Sequence, residues 1–469
     1  MVFSNLFFLF IFLPLNLISY YLVKGTKVKN IVLLIFSLIF YAWGEPLWIG
    51  LLILSTLIDY VHAIYIEKYK DSKYKKYILI SDIVLNLVIL GVFKYSNFFI
   101  ENINYILNTN IAIKSIALPI GISFYTFQTI SYTIDVYNEK VKAQKDFSKL
   151  LMYVSLYPQL IAGPIVRYID IEREIDNRQV NIDSIYTGIN RFIIGLFKKI
   201  LIANIAGKFV VTYMGSDISS ITVMESWFGI FMFTIQIYFD FSGYSDMAIG
   251  LGKMFGFNYC ENFNYPYISK SATEFWRRWH ISLGSFFRDY VYIPLGGNRK
   301  RQLINLFIVW FLTGFWHGAS WNFIIWGLYF GTLIYIEKKV IFKVLERFPS
   351  IISHIYLLLV AMIGWVIFYF TDMSDVIYYL KVMFGLSNNV FTSSALNIVI
   401  TNNIWWIILC IIASTPIPKL MFNKIVKNKC EKYKGYIYIL NGIANALILI
   451  VLVCCLVGES YNPFLYYRF

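Results

Sequence analysis

The run ALILIVLVCCLV, Ala446–Val457, is apolar on every face of a helix and on both faces of a strand, so only an environment apolar all round suits it. Comparable stretches recur back to the opening residues MVFSNLFFLF. A transmembrane barrel would instead alternate apolar and polar residues over about ten positions, and such segments are absent. The whole chain agrees. Its 469 residues are 58% hydrophobic and 14% charged, with mean hydropathy +0.62, outside the range of soluble domains. The expected fold is all-α: a polytopic integral membrane protein of roughly 11–12 transmembrane helices with added re-entrant and interfacial helices.

The formal net charge of +14 does not point to nucleic acid. The cations fall in short clusters between apolar runs, as topology signals do. Lys24–Lys29, Lys68–Lys76, Lys140–Lys145, Arg299–Arg301, Lys338–Lys343 and Lys419–Lys434 serve as cytoplasmic anchors. Spans are then expected near 4–23, 31–43, 47–66, 77–97, 115–137, 187–212, 225–252, 303–317, 321–337, 351–371, 395–413 and 436–457, with both termini outside. The first run has no basic residue before its apolar core and no small-residue cleavage site, so it is expected to remain as a span. Tyr153–Val166 is too short and too Pro-interrupted to cross, which suggests a re-entrant loop carrying Gln159 and Arg167. One domain covering 1–469 is expected, with membrane lipid as its surroundings. The five cysteines have no paired spacing and are expected to be small apolar side chains rather than a disulfide framework or metal site.

Ionisable groups at membrane depth are costly and mark function. In FLTGFWHGASWNFIIWG, Phe311–Gly327, His317 stands between Gly314 and Gly318 with no charge between Arg301 and Glu337. A helix starting near Leu303 carries it about 20 Å into the hydrocarbon layer. A neutral imidazole is favoured there, with a ring nitrogen free to accept a proton. The flanking glycines admit a substrate or another backbone and allow a turn before Trp321. A core histidine bonded across helices is the bland alternative. His62 and His354 sit at span ends, where packing roles suffice.

His280 lies in EFWRRWHISLGSFFRDYVYIPLGGNR, where Trp276, His280, Leu283, Phe287 and Tyr290 recur as one aromatic helical face. Arg277, Arg278, Arg288 and Asp289 are interleaved with it, which describes an amphipathic helix at the cytoplasmic leaflet ending at Pro294. Its arginines either meet lipid phosphates or line the mouth for a phosphate-bearing acyl donor. In IQIYFDFSGYSDMAIG, Asp240 and Asp246 flank Gly243, and a helix broken there around a polar cavity would supply the partners that two buried carboxylates need. Arg277 and Arg278 are the expected counter-ions.

Taken in order, MVFSNLFFLF, FYTFQTISYTIDVY, YPQLIAGPIVRY, FDFSGYSDMAIG, RRWHISL with RDYVYIPLGGNR, FWHG and SYNPFLYYRF resemble the membrane-bound O-acyltransferases, in the bacterial branch that acetylates alginate. The resemblance implies a helical fold around a central tunnel, with His317 at its centre and His280 as the family's second histidine. It further implies a cytoplasmic thioester donor, acetyl-CoA, with no bound cofactor or metal. The acceptor would be an extracytoplasmic polysaccharide such as an alginate-like exopolysaccharide, cellulose or peptidoglycan, reached with an esterase-like acetyltransferase partner at a bacterial cytoplasmic membrane. His317 then acts as base or acyl acceptor. Trp316, Asn322 or backbone amides freed at Gly318 are candidate oxyanion donors. D-alanyl transfer to teichoic acid is the nearest alternative, and the IPLGGNR turn favours acetyl. An ion-coupled transporter would predict inverted repeats, which the sequence lacks.

Overall fold

The computed structural model describes residues 1–112, 117–215, 217–427, 434–458 and 464–465, and every regular element among them is helical. Part of the Lys419–Lys434 cluster, the start of the 115–137 span and most of SYNPFLYYRF lie outside the described residues. Each of the twelve expected spans overlaps helix among the described residues. Among the described residues, six helices are long and apolar enough to cross a membrane, and Phe8–Leu22 and Gln302–His317 are shorter apolar ones. The remaining expected spans are short or carry polar side chains turned inward.

A first bundle comprises α1 (Leu13–Leu22), α2 (Thr26–Gly44), α3 (Ile49–Lys68), α4 (Tyr74–Leu90), α5 (Ser96–Leu107) and α6 (Ile122–Tyr137). Polar side chains join its interior. Asn86 Nδ2 donates to Asp59 Oδ1 at 2.6 Å, and the Thr133 hydroxyl donates to Asp82 Oδ2 at 2.6 Å. The outward faces are instead apolar, with Leu54, Leu57, Val84 and Leu87 exposed while Asp59, Asp82 and Gln128 are buried. Lipid outside and a polar interior invert the pattern of a soluble protein.

The expected re-entrant stretch forms α7 (Phe147–Ser155) and the single turn α8 (Tyr157–Leu160), followed by bends at 161–163. Gly163 takes φ +102, and the chain then enters α9 (Tyr168–Asn177). Next comes α10 (Ile182–Phe197), which passes through a π-helical turn, Lys198–Ala203, into α11 (Asn204–Met214). The 33-residue α12 (Val223–Phe255) packs along both. Thr222 and Glu225 form its capping box, and Gly256 at φ +86 ends it. No break occurs at Gly243, contrary to expectation. The glycine is needed for packing: a Cβ on Gly195 would lie 2.5 Å from the Gly243 carbonyl oxygen, so α10 and α12 touch backbone to backbone.

Two short helices follow, α13 (Ala272–Arg278) and α14 (Ile281–Phe287), then α15 (Gln302–His317) and α16 (Trp321–Ile336). The rest comprises α17 (Phe342–Leu345), α18 (Ser350–Tyr369), α19 (Met373–Met383), α20 (Ser394–Ala413), α21 (Ile417–Lys427) and α22 (Lys434–Val457). Buried apolar residues form two clusters, one centred on α1–α9 and the other on α11–α13, α16, α18 and α19. The candidate site lies at their seam.

Candidate active site

His317 is the last residue of α15, and the chain turns at Gly318 before α16 begins at Trp321. The turn is held by close backbone approach. A Cβ on Gly314 would lie 2.2 Å from the Phe323 carbonyl oxygen, and one on Gly318 would lie 2.2 Å from the Phe323 ring. The flanking glycines therefore admit the neighbouring helix, not a substrate. His317 is 7% exposed. Its ring meets Trp316, Trp326 and Phe368 edge-on at centroid distances of 4.9, 5.0 and 5.4 Å. Its Nδ1 is buried with no hydrogen-bond partner among the described residues.

A cavity of about 40 Å³, room for a few waters, is bordered by His317, Asp240, Phe241, Tyr244, Trp279, Trp365 and others, including Phe464 and Leu465. Asp240 reaches it from α12. Lys199 Nζ stands 2.6 Å from Asp240 Oδ1, and the Leu465 amide donates to Asp240 Oδ2 at 2.5 Å. Six residues on, Asp246 accepts from Lys198 at 2.6 Å and from Arg191 at 2.7 Å. The counter-ions are thus Lys199, Lys198 and Arg191, on α10 and its π-helical extension, not Arg277 and Arg278. A π-turn widens the helix by one residue per turn, which aims two consecutive lysines at the same neighbouring helix.

His280 does not belong to a continuous aromatic helix. It occupies the break between α13 and α14 at φ +44, a left-handed conformation costing on the order of 1 kcal/mol. Asn262 holds that break. Its Nδ2 donates to the Gly163 carbonyl at 3.2 Å, while its Oδ1 accepts from the Ser282 backbone N–H at 3.3 Å and hydroxyl at 2.9 Å. These contacts fix Oδ1 as the acceptor facing His280 Nδ1 at 3.1 Å. Nδ1 therefore carries the proton, and the buried Nε2, which has no hydrogen-bond partner among the described residues, presents a lone pair. The His280 and Trp316 rings are 6.0 Å apart, and Trp316 stacks between this region and Phe127. The break turns His280 inward, so the two histidines flank one tryptophan.

The other expected site residues lie elsewhere. Arg277 is exposed, and Arg278 pairs with Glu274 at 2.9 Å. Asp289 joins Arg288 and Arg167 at 2.7 and 3.0 Å. Gln159 is buried and donates to the Tyr153 carbonyl at 2.7 Å. Asn322 donates to the carbonyls of Ile367 and Phe368 at 3.2 and 3.3 Å, tying α16 to α18. The Trp316 indole N–H points to the Ser123 carbonyl at 3.4 Å, away from an oxyanion role. His62 and His354 bond to backbone carbonyls, as packing residues do.

Sequence reading passed over Lys94, Lys198, Lys199 and Asn262. Lys94 sits in a π-helical turn, Gly91–Tyr95, with Nζ 2.5 Å from the Trp316 carbonyl oxygen and 3.4 Å from that of His317. The three lysines were visible as cations inside otherwise apolar runs, which is itself the signal.

Residues 36–381 match the MBOAT, membrane-bound O-acyltransferase family. The chain is 41% identical over 377 residues to a probable alginate O-acetylase AlgI of Azotobacter vinelandii, covering 78% of this chain and 75% of that one. It is 32% identical to a peptidoglycan O-acetyltransferase of Helicobacter pylori, covering 100% and 98% of the two chains. A teichoic acid D-alanyltransferase of Bacillus subtilis matches at 31% over 231 residues, covering 46% and 58%. A site built at the end of an apolar helix, within a polytopic helical fold that matches the family over most of its length, leads to one conclusion: this chain belongs to the membrane-bound O-acyltransferases and is a multi-pass membrane O-acyltransferase.

Proposed function

We propose that the chain carries an acetyl group from cytoplasmic acetyl-CoA to a hydroxyl of an extracytoplasmic polysaccharide, with His317 as the reacting side chain. The observation that supports this is the His317 ring bordering the seam cavity opposite the Asp240–Lys199 pair. As general base, His317 takes the proton of the acceptor hydroxyl while its oxygen bonds to the acyl carbon. The carbon–sulfur bond then breaks, and the proton passes to the departing thiolate, leaving His317 neutral. As covalent acceptor, the ring nitrogen instead attacks the acyl carbon, the carbon–sulfur bond breaks and the thiolate leaves with the ring proton; the acceptor oxygen then attacks the acyl-imidazole, the carbon–nitrogen bond breaks and the hydroxyl proton returns to the ring. His280, with Nε2 unprotonated and Trp316 between it and His317, is the second candidate for moving a proton.

Acetyl is favoured over D-alanyl because the acetyltransferase relatives match across three quarters or more of this chain and the D-alanyltransferase across less than half. The reading places the protein in a bacterial cytoplasmic membrane with an esterase-like extracytoplasmic partner. The test is acetate released by mild base from cell-surface polymer of a strain carrying His317→Ala, with membrane insertion checked on the same sample. Loss of acetate with normal insertion is expected; wild-type acetate would remove His317 from the reaction.

A further inference from the structure

Two carboxyl groups that acyl transfer does not use meet inside the first bundle: Asp59 of α3 and Asp82 of α4, each 0% exposed and within hydrogen-bond reach of the other. One oxygen of each has a donor. Asn86 Nδ2 donates to Asp59 Oδ1 and the Thr133 hydroxyl donates to Asp82 Oδ2, both at 2.6 Å. The remaining oxygens, Asp59 Oδ2 and Asp82 Oδ1, are buried and have no donor among the described residues. The Thr129 hydroxyl, also near Asp59, is spent on the Thr126 carbonyl at 3.3 Å.

No strong cation compensates the pair. Its one ion-pair partner among the described residues is His62, whose Nδ1 stands 3.7 Å from Asp82 Oδ1 but donates to the Ile58 carbonyl at 2.8 Å. Titratable side chains on the elements packed around the pair are engaged elsewhere. Lys75 of α4 bonds to Glu139, and on α6 Asp135 accepts from Tyr290 while Tyr132 accepts from the Gln144 amide. On α7, Lys149 bonds to Asp176 and Tyr153 to the Val166 carbonyl.

Two ionised carboxylates in contact within a lipid-facing bundle repel strongly, and a carboxylate only accepts, so both donorless oxygens would stay unsatisfied. One hydrogen removes both costs, because a protonated carboxyl donates and its neighbour accepts. A metal cation fits poorly. It takes about six oxygens, and these two have no accessible surface from which water could complete the set. We propose that Asp59 and Asp82 are a one-proton site, an acid–carboxylate pair that shares a hydrogen between Asp59 Oδ2 and Asp82 Oδ1 and so clamps α3 to α4. Deprotonation releases one proton to solvent, takes the pair from one negative charge to two, and opens the clamp. Folding takes up a proton that unfolded carboxyls, titrating at about 3.9, have released, so this stabilisation is complete at low pH and is lost as pH rises.

The test is infrared spectroscopy of the detergent-purified full chain at neutral pH, reading the carbonyl stretch that only a protonated carboxyl gives. Wild type should show such a band, shifted by isotope labelling of aspartate, unchanged in His317→Ala, and absent from both Asp59→Asn and Asp82→Asn. Asparagine is the isostere of the protonated acid: its Nδ2 donates across the pair while its Oδ1 keeps the bond from Asn86 or Thr133. Each Asn variant should therefore match the wild-type melting temperature at neutral pH and exceed it by a growing margin as pH rises. No aspartate band, a band that survives both substitutions, or an Asn variant that misfolds or melts well below wild type at neutral pH overturns the site. So does a wild-type melting temperature that rises with sodium at constant ionic strength, the mark of a cation between the carboxyls.

Discussion

Lys94 Nζ lies 2.5 Å from the Trp316 carbonyl oxygen and 3.4 Å from that of His317, so its amino group caps the helix end that presents the His317 imidazole. The last carbonyls of a helix lack intrahelical donors and carry its negative dipole end. The Tyr95 hydroxyl adds a donor to the Phe315 carbonyl at 2.7 Å.

Lys94→Met should therefore lower acetate transfer about 10- to 30-fold, corresponding to about 1.4–2 kcal/mol. Lys94→Arg should recover part of it. Acetate release normalised to protein in the membrane is the measurement, and a wild-type rate in Lys94→Met would show that the cap does not position His317.

Asp240 and Lys199 are both 4% exposed at the side chain and 2.6 Å apart. Removing either partner leaves a buried charge, so Asp240→Asn and Lys199→Met should each cost about 3–5 kcal/mol. The double variant should be closer to wild type than the sum of the two. Unfolding free energies in detergent for the three variants test this, and additive losses would mean that the pair is not coupled.

Gly314→Val puts side-chain atoms where the Phe323 carbonyl oxygen already stands, 2.2 Å from the position of a Cβ. Pushing α15 from α16 should cost at least about 1–3 kcal/mol and displace His317. Gly50→Ala, with nothing within 4 Å of the added carbon, should be neutral or stabilising by up to about 1 kcal/mol. Comparing their melting temperatures and acetate release separates tight packing from general intolerance of glycine replacement.

Burial pushes the Asp289 carboxyl upward, but Arg288 and Arg167 outweigh it and hold the carboxyl below its usual value. A depressed carboxylate stabilises the fold above its unfolded value, near 3.9, and that contribution disappears as pH falls through the lower folded value. Asp289→Asn should thus melt below wild type at pH 6–7, with the gap closing below about pH 4. A gap independent of pH would show that the ion cluster contributes nothing through charge.

The helical, lipid-facing character of the chain was legible from runs such as Ala446–Val457, because an all-apolar surface of that length has one physical solution. His317 stood out for a related reason: a lone imidazole among apolar residues needs a purpose. The expected break at Gly243 and the expected helix through His280 were both misplaced. A glycine beside carboxylates reads the same whether it breaks a helix or lets another backbone touch it, and only the packing of Gly195 on Gly243 tells the two apart. Aromatic periodicity likewise runs straight through His280, whereas Asn262 and Ser282 hold the chain in its left-handed turn.

Membrane class, helical character and the buried imidazole of His317 were determined by sequence, since hydropathy and the cost of buried polar groups act residue by residue. The ion partners of Asp240 and Asp246, the Lys94 cap and the inward turn of His280 were decided by tertiary structure. Each depends on which distant segments meet, and short-range electrostatics and hydrogen bonds act only across distances that chain order does not encode.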